Sequence, residues 1–95
     1  MFETLYHVSE RTQVDFIGAA SENARYDLAI VYTRNFFDKP IVICLQTGKS
    51  LPLSQEDLQE DLIARTFRLK PAEAAEICML LHEKLPLMSS REQYA

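Results

Sequence analysis

Between Thr12 and Thr47 the chain reads as three apolar stretches separated by two polar turns. "TQVDFIGA" sets Val14 and Phe16 on one face and Gln13 and Asp15 on the other, the period of two expected of a half-buried strand. "RYDLAIVYT" carries Tyr26, Leu28, Ile30 and Tyr32 on one face. "PIVICLQT" is apolar on both faces, rich in β-branched residues, and starts at Pro40, where a missing N–H is tolerated. The breaks, "ASENA" and "RNFFDK", have turn-forming composition. Closing both as hairpins predicts an antiparallel meander in which Leu28 lies opposite Phe16 and Leu45, Ile30 opposite Val14 and Ile43, and Tyr32 opposite Ile41. That register gathers the strongest apolar residues on one side.

Downstream, "LPLS" reads as an edge strand, because Pro52 cannot donate to a central ladder. Ser54 to Asp57 spells S-x-x-D, the start of a short helix. In "LIARTFRLK" the spacing of Ile63, Phe67 and Leu69 predicts a short strand ending at Lys70, although Leu58 and Leu62 would suit a continued helix. The strongest helix is "PAEAAEICMLLHEKL", with Pro71 in its first turn and Pro86 as its stop. Ala74, Ile77, Cys78, Leu81 and Leu85 form its apolar stripe. The expected fold class is α+β: an antiparallel three- to five-stranded meander sheet packed against a C-terminal helix, with one short helix before it. Residues 1–95 form a single domain, with 1–10 and 87–95 peripheral or frayed.

Composition narrows what such a domain does. Apolar residues are 47% and charged residues 25%, which describes a chain that folds by itself. The formal charge is −4 and basic residues are scattered, so a nucleic-acid phosphate backbone has nothing to dock on. No apolar run is long enough for a membrane span, and the acidic start "MFETLYHVSE" lacks the features of a secretory signal, so the expected location is the cytoplasm. Cys44 and Cys78 fall within apolar patterns and are expected as buried, reduced thiols.

"QTGKS" ends like a phosphate-binding loop, but Ile43 stands where the first glycine is required and Pro52 follows where a helix should start. A hairpin turn at Gly48 accounts for the same letters. In the predicted register Arg25 is its neighbour, so Arg25, Thr47, Gly48, Lys49 and Ser50, with Ser21 and Asn23, form a candidate weak anion or metabolite site. Cys78 and His82 stand at i and i+4, yet a metal needs a further ligand at a diagnostic spacing, and none is present. No metal and no cofactor is expected. An enzyme using Cys78, His82, His7 or carboxylates such as Asp15 and Asp27 ranks last, because no pattern brings two of these groups together.

More informative is the reverse face of the sheet, where the same register sets Ala29 with Cys44 and Val31 with Val42. Apolar residues on a second face require a cover: the N-terminal Phe2, Leu5 and Tyr6, a second copy, or a partner. Phe36 and Phe37 in the turn add an aromatic anchor of the kind interfaces use. Ala29, Val31, Phe36, Phe37, Val42 and Cys44 are therefore the candidate interface residues.

The run "ARYDLAIVYTRNFFDKPIVICLQTGKSLPLSQEDLQ" resembles a family of short uncharacterised cytosolic proteins from low-GC Gram-positive bacteria, with "RYD", "VYT", "FF-KP" and "QTG" as its most characteristic pieces. The resemblance implies a cytosolic location and similar length, and supplies no activity, ligand or catalytic residue. Together these readings lead to the expectation of a non-enzymatic binding or regulatory module that acts through a protein interface, with self-association among its forms.

Overall fold

The computed structural model describes residues 1–36 and 38–85. Four strands, β1 (Val14–Ala20), β2 (Arg25–Val31), β3 (Ile41–Cys44) and β4 (Ser50–Pro52), form one antiparallel sheet in the order of the chain. A 3-10 turn (Gln55–Asp57) leads into helices α1 (Glu60–Phe67) and α2 (Pro71–Lys84). The fold is thus α+β, a meander covered on one side by helices. Among the described residues no helix is long and apolar enough to cross a membrane. Expectations for residues 87–95 and for Phe37 fall outside the described residues.

Both hairpin registers differ from the predicted ones by one residue. Leu28 pairs with Ile17 and Cys44, and Ile30 pairs with Asp15 and Val42. Turn length is the cause. The first turn has an even number of residues, Ser21 to Ala24, and is closed by the Ser21 N–H on the Ala24 carbonyl at 2.9 Å. The second loop, 32–40, holds an odd number of residues, and Asp38 within it takes a left-handed conformation at φ 57°. A one-residue slip turns every side chain to the other face.

The helix-facing side of the sheet therefore carries Tyr26, Leu28, Ile30, Val42 and Cys44, all buried, with Ile17 at its margin. They join Leu53, Ile63, Phe67, Ala74, Ile77, Cys78, Leu81 and Leu85 in one hydrophobic core. Val42 and Cys44, expected on the reverse face, are core residues. Val14 and Phe16, expected inside, are exposed on the reverse face.

The segment read as a strand at 62–70 is helical over Glu60–Phe67. Ile63 and Phe67, four residues apart, both point into the core, and Arg68 ends the helix in the left-handed region at φ 57°. A helix stop of this kind ordinarily carries glycine or asparagine. The S-x-x-D signature does start a turn of helix: the Asp57 carboxylate accepts from the Ser54 N–H at 3.1 Å and the Ser54 hydroxyl at 2.9 Å, and pairs with Lys39 at 2.7 Å. The Gln55 amide then reaches the carbonyls of His82 and Leu85 at 2.8 and 2.6 Å, satisfying acceptors that the end of α2 leaves open.

Candidate functional site

The corrected register gives the reverse face a composition richer than the predicted one. Two rows of side chains cross all four strands on that side. The first is Val14, Val31, Ile41 and Pro52, and the second is Phe16, Ala29, Ile43 and Ser50. Ala29 is buried at the centre of its row, while the Phe16 side of the row is open, with 75% of Phe16 exposed. Leu45, just past β3, extends the patch and is 48% exposed. The helices lie on the other side; on this one Val31, Ile41, Ile43 and Pro52 are half-buried, and Val14 and Phe16 are exposed. A single-chain sheet with one open face ordinarily turns polar residues outward.

The patch has a polar border at one end. Arg25 is held by Asp27 through two hydrogen bonds of 3.0 and 3.1 Å, and the Gln46 amide donates to the same carboxylate at 2.7 Å. Gly18 lies opposite Asp27, and a Cβ there would come within 3.3 Å of the Asp27 Oδ1. These groups neutralise one another and leave the apolar rows without an unbalanced charge beside them.

At the other end the chain enters the sheet through a clasp. Glu10 accepts hydrogen bonds from the Thr33 hydroxyl at 2.5 Å, the Arg34 N–H at 3.0 Å and the Asn35 amide at 2.8 Å. The Thr12 hydroxyl donates to the Tyr32 carbonyl, and the Tyr32 N–H to the Gln13 carbonyl at 3.0 Å. Residues ahead of the clasp have no regular structure, and their apolar side chains are bare: Phe2 is 91%, Leu5 85% and Tyr6 74% exposed. They do not cover the reverse face of their own sheet. Tyr6 and Val8, with Asn35 and Phe36, line a cleft of about 400 Å³ beside the clasp.

The hydrogen bond from Thr33, then that from Arg34, hold the Glu10 carboxyl below its ordinary value of 4.5. A carboxylate whose pKa is lower in the folded state stabilises the fold above its unfolded pKa, and that contribution is lost as pH falls through the folded one. The clasp is therefore expected to hold at neutral pH and to open only in acid, with a midpoint below 4.5. An acid titration of the Arg34 amide resonance checks this; a midpoint at or above that value, or a resonance that does not move, counts against it.

The structure places the other sequence-predicted site residues as follows. Ser50 opens a strand rather than a helix, so the "TGKS" turn makes no nucleotide loop. In that turn the Gly48 N–H donates to the Cys44 carbonyl at 2.7 Å and the Lys49 N–H to the Thr47 hydroxyl at 3.3 Å. Arg25 turns to Asp27, which leaves the exposed Lys49 as the charge facing outward at this turn. Cys78 is buried in the core, and His82 is exposed one turn on. Burial, then the Glu60 charge, pushes the Cys78 thiol up, away from the thiolate a nucleophile needs. No cluster of three or more His, Cys, Asp or Glu side chains among the described residues is placed to hold a metal.

One polar constellation had no signal in the sequence. Glu76 on α2 accepts from the Tyr26 hydroxyl and from the Ser21 hydroxyl at 2.8 Å, fastening helix to sheet. Burial, then the hydrogen bond with Glu76, pushes Tyr26 up to about 12. The same two donors hold Glu76 below its ordinary value. The contact ties Glu76 of α2 to Tyr26 of β2, with the phenol protonated and the carboxylate ionised at neutral pH.

Comparison with known proteins adds one finding. The chain belongs to the SAV0927-like family, an uncharacterised family whose model matches residues 5–83, a span that takes in most of the N-terminal arm together with the sheet and both helices. No curated protein matches the chain.

Proposed function

Taking membership of that family as the starting point, we propose that this chain is a non-enzymatic interaction module whose working surface is the reverse face of the sheet. One observation carries the reading: an apolar row crosses all four strands and a second, from the open Phe16 to Ile43, crosses three, with Leu45 exposed past its end. An apolar patch rimmed by polar groups is the ordinary mark of a protein interface. Phe16 is its aromatic anchor, and Val14, Val31, Ile41, Ile43 and Leu45 surround it. Phe36, half-exposed beside Tyr6 and Val8, extends the surface toward the arm. A cytoplasmic setting in a low-GC Gram-positive cell belongs to the same reading.

Chemistry points the same way, since the buried thiol, the paired Arg25 and the fastened Glu76 each have a structural occupation. Hydroxyl-radical footprinting tests the proposal. Phe16 and Leu45 of the intact chain are expected to be protected inside cells and reactive in dilute purified protein. Equal reactivity in both settings would remove the basis for an interface at this face.

A further inference from the structure

We infer that the occupant of the reverse face is a second copy of this chain, packed face to face about a two-fold axis, with the Phe2 to Val8 arm of each copy laid across its partner. The inference rests on the interaction reading above and names its partner.

Three observations favour a copy over a foreign protein. First, the chain presents two apolar surfaces at once, the sheet face and the arm, and neither is buried by the rest of the described residues. Face-to-face packing about a two-fold axis buries the sheet face of each copy against that of its partner and lays each arm on the partner beside it. Second, the face is compatible with itself in charge. Arg25 and Asp27 are already paired, so bringing two such faces together opposes no bare like charges.

Third, the area is sufficient. Whole aromatic side chains carry ~150–250 Å² each, so the exposed fractions of Phe2, Leu5, Tyr6, Val8, Phe16 and Leu45 expose on the order of 800 Å² of apolar surface. That matches the ~800 Å² per partner of a standard stable interface. Without the arm, the sheet rows alone fall well below it. The arm is therefore an integral part of the interface, and the Glu10 clasp fixes the point from which it departs.

Face-to-face packing makes a four-layer particle, helix, sheet, sheet, helix, with the two sheets ~10 Å apart. Phe16, Ile43 and Val31 of each copy then interdigitate at the centre.

Light scattering on a sizing column, applied to the full chain over a concentration series, tests this. The expected mass is twice the 10.9 kDa of one chain. Phe16→Glu is expected to weaken association by about 100-fold and give monomer, with an unchanged circular dichroism spectrum, since Phe16 has little fold to support. Tyr6→Glu in the arm is expected to weaken it by about tenfold or more. A wild-type chain that stays monomeric to sub-millimolar concentration, while its Phe16 is protected in cells, overturns the second-copy inference and leaves the interaction reading standing. A dimer indifferent to Phe16→Glu overturns the second-copy inference at this face, and equal footprinting of Phe16 in cells and in dilution then overturns the interaction reading as well. A dimer broken by Phe16→Glu but indifferent to Tyr6→Glu overturns the role given to the arm.

Discussion

Val42→Asp is expected to leave the chain unfolded, while Ile43→Asp, one residue along, leaves it folded. Val42 has no exposed surface and faces the helices, so a carboxylate there is buried among Leu28, Ile30 and the α2 stripe with no cation to meet it. Burying an unpaired carboxylate costs several kcal/mol after whatever relaxation the site allows, a large share of the ~5–15 kcal/mol that holds a domain together. Ile43 is half-buried on the reverse face, where an aspartate side chain reaches water. Its cost is about 1–2 kcal/mol, from lost strand preference and lost neighbours. Urea unfolding followed by circular dichroism separates the two outcomes. The predicted register would have reversed them, so a folded Val42→Asp and an unfolded Ile43→Asp would refute the pairing described above.

Phe67→Ala is expected to be nearly as damaging by a different route. Phe67 is the largest fully buried side chain among the described residues and closes the core from the end of α1, with Ile63 and the residues of α2. Truncating a buried phenylalanine removes its transfer free energy and leaves a cavity, together ~3–5 kcal/mol. The midpoint of urea unfolding should fall accordingly, with its slope unchanged. Leu69, only half-buried beyond the helix end, is the contrast: its truncation to alanine should cost well under half as much. Equal losses at the two positions would suit an alternating strand at 62–70 and would argue against the helix.

The legible parts of the fold were those with local causes. The C-terminal helix was bounded by Pro71 and Pro86, and α2 runs over Pro71–Lys84. The meander followed from polar breaks between apolar runs, and the strands lie in that order. What the sequence left open were choices decided by single backbone conformations. Asp38 takes the left-handed region within the loop whose odd length sets the β2–β3 register, and Arg68 in the same region ends α1 without a glycine. Neither residue type announces that choice.

The candidate surface was half visible for the same reason. "PIVICLQT" was apolar on both faces in any register, which already demanded a second cover. Which residues formed the second face depended on the register, so Val42 and Cys44 were named where Ile41 and Ile43 stand. Phe16, its most exposed aromatic ring, was assigned to the core by the same slip. The Glu76 fastening had no signal because Tyr26 lies 50 residues from it in the chain, beyond any periodic pattern.

The sheet order has a consequence for how the two apolar faces find their covers. Every strand pairing joins neighbours in the chain, so the sheet closes only short loops, and the ordering entropy of each is small. A sheet built that way presents two sticky sides together, and the claims on them are unequal. The helices are tethered to one side and act at an effective concentration of order millimolar whatever the dilution. The other side has no such tether among the described residues, and the partner proposed above would cover it by mass action. On the interface proposed above, one half of this small domain is stabilised by its own covalent chain, and the other half by how much of its partner the cell supplies.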